Sequence, residues 1–118
     1  MRNVKSGSNR GARIASKVQT IVAEILRDNY ADDDLLRGVS LSDSLPTGGG
    51  QFIKLFYYSH GGQNADIQAR LDDVTKTIRY ELAARMNQKY VPEIRFVYDD
   101  TLERAEHIEN LLDGLTEK

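Results

Sequence analysis

The chain has 118 residues, a formal net charge of −2 and no cysteine. That length fits one domain, able to bury roughly 60–70 % of the surface its unfolded form would expose. Without cysteine neither a disulfide framework nor a thiolate zinc site can be built, which suits a reducing cytoplasm, and no apolar run approaches the ~20 residues of a membrane span.

The opening, MRNVKSGSNRG, is basic and lacks the apolar stretch of a secretory signal. Residues 1–9 are expected to form a flexible tail, residues 10–115 a single domain and residues 116–118 its C-terminal end. From about Arg10 to Arg27, the residues Ile14, Val18, Ile21, Val22 and Ile25 recur at the spacing of a one-faced helix. Arg10, Arg13 and Lys17 then project along one flank of that stripe. Asp28-Asn29 stops the helix, and Asp32-Asp33-Asp34 reads as an exposed loop.

A weakly alternating stretch, Leu35 to Asp43, predicts a first strand, with Leu45-Pro46-Thr47-Gly48-Gly49-Gly50 as a flexible turn. Gln51 to Ser59 is the strongest strand, rich in aromatic and β-branched residues, and should pair with the first as an antiparallel hairpin. After the turn at Gly61-Gly62, either Asn64 or Asp66 can cap a helix whose Ile67, Leu71, Val74, Ile78 and Leu82 form a core-facing stripe. Arg85 falls on that same stripe, so the helix should end or bend near 84–87, or the side chain should snorkel. Pro92 forces Val91 into an extended conformation and opens a short strand, Glu93–Tyr98. Asp100, with Glu103 three residues on, predicts a capping box before a last helix striped by Leu102, Ala105, Ile108, Leu111 and Leu112. The order is helix, strand, strand, helix, strand, helix. Three strands cannot close a barrel, so the expected fold is α+β, with helices packed on one face of a small sheet.

Charge is graded along the chain. Residues 1–27 carry six Lys/Arg against Glu24 alone, while residues 96–118 carry seven acids against Arg104 and Lys118. Such a gradient suits a protein that meets a polyanion with one particular face. Lys76, Arg79, Arg85, Lys89 and Arg95 add a second basic group, opposed between residues 76 and 95 only by Glu81 and Glu93. If the two groups adjoin, they form a face for several phosphate contacts. Tyr80 and Tyr90 lie among these cations and could stack on bases, whereas Phe52, Phe56 and Phe96 read as strand and core packing.

Catalysis has little to work with. The histidines are His60, beside a glycine turn, and His107, on the last helix, and no third residue to orient either can be named. The acidic runs lack the alternate-residue spacing of a calcium loop. Gly48-Gly49-Gly50 leads into a strand and not a helix N-terminus, so it is a turn and not a phosphate loop. From Gln63 to Asp113 there is no glycine at all, so the Gly-x-x-Gly clamp with which a K-homology domain grips single-stranded RNA cannot be built.

The closing letters, Val91-Pro92-Glu93-Ile94-Arg95-Phe96 with Tyr98-Asp99-Asp100, resemble the ribosome-binding factor A family. So do Arg13-Ile14-Ala15, Gln19 and Glu24-Ile25-Leu26 near the start, and Leu71, Ile78-Arg79 and Glu81-Leu82 in the middle. The resemblance runs from Arg10 to Leu112. It implies a type II K-homology-like domain without the Gly-x-x-Gly loop, and a non-catalytic assembly factor of the small ribosomal subunit. Such a factor binds free 30S subunits and 16S rRNA and assists late rRNA folding and 5′-end processing in the cytoplasm. Its loss impairs growth in the cold. Cofactor, membrane and small-molecule substrate are not expected, and a monomer is. RNA binding is expected at Arg10, Arg13, Lys17, Lys76, Arg79, Arg85 and Lys89. Where the family carries an Ala-x-Gly kink, this chain has Val74-Thr75-Lys76, which implies a shallower bend or a straighter helix. The alternative is a general RNA- or protein-binding adaptor of another family, with Phe52–Tyr58 as its partner surface.

Overall fold

The computed structural model describes residues 3–88 and 90–116. Helix α1 (Asn3–Asn29) leads to strand β1 (Val39–Thr47), a single 3-10 turn at Gly48–Gly50, strand β2 (Phe52–Ser59), helix α2 (Ala65–Met86), strand β3 (Glu93–Tyr98) and helix α3 (Thr101–Thr116). This is the α+β order that the sequence predicts. α1 extends beyond the expected stretch at both ends, running Asn3–Asn29 where Arg10 to Arg27 was expected.

β1 and β2 pair antiparallel, from Val39 opposite Ser59 to Thr47 opposite Phe52, with a bulge between Leu41 and Asp43. β3 joins β2 in parallel, Phe52 opposite Glu93 through Tyr57 opposite Tyr98, giving the order β1-β2-β3. β1 lies later in the chain than Leu35–Asp43 and takes in Leu45 and Pro46, which read as turn residues in the sequence. Proline is tolerated there because β1 is an edge strand with one side unpaired. The turn itself is confined to the three glycines, all at positive φ.

The core lies between the sheet and the two long helices. Val18, Val22 and Ile25 from α1, Ile53, Leu55 and Tyr57 from β2, Leu71, Ile78 and Leu82 from α2, and Ile94 and Phe96 from β3 form one buried cluster. Asn64 caps α2, its side chain accepting from the N–H of Asp66 (2.8 Å) and of Ile67 (3.4 Å). α2 runs unbroken through Val74-Thr75-Lys76 and stops at Met86, where Asn87 turns left-handed at φ 54°. No break in the helix marks the place where the family carries its kink.

Three further expectations need correction. Asp33 is not merely solvated loop: it accepts from the N–H groups of Leu35 and Leu36 and pairs with Arg70 of α2 at 2.9 Å, tying the loop down so that Leu36 is buried. Burial alone would push its carboxyl up, but the Arg70 guanidinium and the two backbone donors outweigh that and hold it below the usual value. The second concerns α3, where every residue from Thr101 to Gly114 is exposed, so only α1 and α2 cover the sheet. Glu103 does not close a capping box on Asp100. It accepts from the Tyr98 hydroxyl, while Asp99 takes the Thr101 N–H at 3.0 Å. That bond to Glu103, helped by burial, pushes the Tyr98 phenol up to about 12.

Candidate nucleic-acid interface

α1 presents its cations as a strip. At 100° per residue, Arg10, Lys17 and Arg13 stand about 40°, 60° and 100° to one side of Ile14, away from the buried stripe. All three are exposed, and none pairs with a carboxylate among the described residues. Glu24 and Asp28 continue the same flank toward the helix C-terminus. There α2 meets it: Arg85 binds Asp28 at 3.2 Å and Glu81 of its own helix at 3.1 Å, with Glu24 at 4.0 Å. The Glu81 contact, with that to Asp28, raises the Arg85 guanidinium above its ordinary value despite partial burial. Arg85 thus engages the acidic half of the flank at the surface, and the basic half is left facing solvent without a carboxylate partner among the described residues.

The expected α2 cations divide by their angle on the helix. Lys76 stands about 160° from Ile78, opposite the core, and is exposed and unpaired among the described residues. Tyr80, on the same outer face, is 80 % exposed. Arg79 turns toward β3, where it donates to the carbonyls of Pro92 (3.1 Å) and Val91 (3.2 Å) and so pins the α2–β3 loop. Lys89 lies outside the described residues. α1 and α2 run antiparallel, since Glu24 and Asp28 lie beside Arg85 while Ile14 lies beside Gln88 and Val91. Ile14, which borders the basic strip on α1, therefore lines the same cavity as the loop that Arg79 fixes.

Arg95 does not join this face. β3 buries Ile94 and Phe96 toward the helices, so strand alternation turns Arg95 to the other side of the sheet, opposite Lys54 of β2. Phe52, Lys54, Phe56 and Tyr58 share that helix-free side, with both phenylalanines half-buried and Tyr58 exposed. Phe96 alone of the three phenylalanines is fully in the core.

Both histidines are exposed, His60 in the turn after β2 and His107 on α3. Among the described residues no three His, Asp or Glu side chains gather to hold a metal, and no helix is long and apolar enough to cross a membrane.

Sequence reading missed one concavity. Ile14 of α1, Gly49, Gly50 and Gln51 of the turn, and Gln88, Tyr90, Val91 and Pro92 of the α2–β3 loop line a cavity of about 560 Å³. Three distant segments build it, so no local motif marks it. The one signal available was the placing of Tyr90 beside a proline-started strand.

The family model described as Ribosome-binding factor A matches residues 10–112. The chain belongs to the ribosome-binding factor A family. Ribosome-binding factor A of Nitrobacter winogradskyi is 34 % identical over 109 residues, covering 90 % of this chain and 80 % of that protein. The Coxiella burnetii factor is 33 % identical over 116 residues, with 94 % and 93 % covered. The crystal structure of ribosome-binding factor A from Thermus thermophilus superposes with a TM-score of 0.63 at 14 % identity, covering 74 % of this chain and 93 % of that one. Coordinates of the Thermus factor fitted into the cryo-EM map of its complex with the 30S subunit match equally well, covering 76 % and 96 %. Those likenesses carry the fold. Membership in this family excludes an adaptor of another family.

Proposed function

We propose that this chain is a non-catalytic maturation factor of the small ribosomal subunit, which binds the free 30S particle through 16S rRNA as a monomer in the cytoplasm. The observation that carries the reading is the exposed strip of Arg10, Arg13 and Lys17, which has no carboxylate partner among the described residues while Glu24 and Asp28 further along the same flank turn to Arg85. A family relative has been fitted into a 30S complex, which supports the same partner here. Arg10, Arg13, Lys17 and Lys76 meet phosphates, and Lys89 extends the set. Arg79 and Arg85 act mainly as struts that hold the loop and the helix pair in register. Binding favours one rRNA conformation over others, which shifts its population, assists late folding and leaves the 5′ end open to processing.

Gradient fractionation of cell extract tests this. The protein should sediment with free 30S subunits and be absent from translating ribosomes, and loss of its gene should leave precursor 16S ends and poor growth in the cold. A protein found only at the top of the gradient, with normal 16S ends in the deletion strain, would contradict it.

A further inference from the structure

The cavity that Ile14 shares with the α2–β3 loop has the make-up of a nucleotide site. Ile14, Val91 and Pro92 give it apolar lining, and Gln51 and Gln88 add two amide side chains. Amides offer both donor and acceptor to a base edge. The Tyr90 ring at its rim is 81 % exposed and has no partner among the described residues. Its volume of about 560 Å³ falls within the roughly 300–1,000 Å³ of small-ligand sites.

The glycine turn makes the shape possible. A Cβ on Gly50 (φ 95°) would sit 3.4 Å from Ile14 Cδ1 and 3.5 Å from Gly11 Cα, so the turn lies directly against α1. A Cβ on Gly49 (φ 71°) would meet nothing within 4 Å, which leaves its backbone open at the rim. Arg79 fixes the opposite wall through the Val91 and Pro92 carbonyls. Arg10 and Lys17 stand about 40° and 60° to one side of Ile14 on the helix, so both long cations project next to a residue that lines the cavity.

We propose that this cavity receives one unstacked nucleotide of a single-stranded RNA segment. The base lies on Tyr90 over Ile14, Val91 and Pro92, the Gln51 and Gln88 amides meet its edge, and Arg10 and Lys17 meet its flanking phosphates. RNA readers commonly hold a splayed base between an aromatic ring and amide groups in this way. The inference rests on the 30S-binding reading and adds a specific contact to it.

The test uses the full chain and purified 30S subunits, with chemical probing of 16S rRNA base edges alongside co-sedimentation. Tyr90→Ala should weaken binding roughly 5- to 100-fold, as loss of one stacked base does, without changing the salt slope. Tyr90→Phe should bind as the native chain does, and the double change Gln51→Ala with Gln88→Ala should expose one unpaired base that the native chain protects. Unchanged thermal melts of these surface variants separate the effect from misfolding. Native binding with Tyr90→Ala indistinguishable and no base protected would overturn the pocket while leaving the 30S reading intact. Failure of the native chain to bind 30S subunits would overturn both. The four free nucleoside monophosphates form a second arm: saturation of the cavity by any of them at micromolar concentration, seen by NMR shifts at Tyr90, would assign the site to a free nucleotide and overturn the RNA assignment.

Discussion

Arg85 of α2 reaches Asp28 of α1 at 3.2 Å, and this contact ties the two helices together at the surface. Because Arg85 also holds Glu81 at 3.1 Å, its charge is committed to joining the helices. Arg85→Ala is therefore expected to lower the melting temperature while leaving the salt dependence of 30S binding near the native value. Lys76→Ala should do the reverse, leaving the melt unchanged and reducing the salt slope by about one. Thermal melts paired with co-sedimentation across a salt series check both. Equal behaviour of the two variants would remove the distinction between strut and contact.

α2 and α3 differ in what their apolar residues do. Leu82 is fully buried in the core, whereas Leu111 is 56 % exposed. Leu82→Ala should cost about 2–5 kcal/mol. Leu111→Ala should stay within about 0.5 kcal/mol, although both residues belong to stripes of similar spacing. Urea unfolding of the two variants measures the contrast, and a large loss at Leu111 would mean that α3 packs in solution.

Much of the fold was legible because the core announces itself by period. Ile67, Leu71, Val74, Ile78 and Leu82 mark α2 at 3.6 residues per turn, and Ile94 and Phe96 mark β3 at two. Local chemistry failed where tertiary position decides. Pro46 reads as a turn residue until β1 is known to be an edge strand, and the α3 stripe reads as core although its residues stay exposed from Thr101 to Gly114. The site was legible in part. The angles of Arg10, Arg13 and Lys17 follow from α1 alone, but the engagement of Arg79 and Arg85 depends on residues distant in sequence, such as Pro92 and Asp28. Arg95 could have been set apart by alternation with Ile94 and Phe96.

Acid should loosen the β1 approach. Burial pushes the Asp33 carboxyl up, but Arg70 and the Leu36 and Leu35 N–H groups together overcome this and hold it below its ordinary pKa. A depressed folded value means that the unfolded chain takes up the proton first, so this stabilisation is complete above the unfolded pKa of about 3.9 and is lost as pH falls through the folded value. Asp33→Asn should therefore be clearly less stable than the native chain at neutral pH, and the gap should close below about pH 4. Urea midpoints along a pH series report it. A gap that stays constant down to the acid limit would show that the carboxylate charge contributes nothing.

The central claim is that the basic strip of α1 meets the subunit. Reversing Arg10, Arg13 and Lys17 together to glutamate, and separately exchanging Glu106 and Glu109 for lysine, allows one direct comparison of affinity for purified 30S subunits across a salt series. The first variant should bind far more weakly, with its salt slope reduced by about one for each cation lost, and the second should bind much as the native chain does. Equal losses from the two, or full binding by the reversed strip, would contradict an oriented electropositive face.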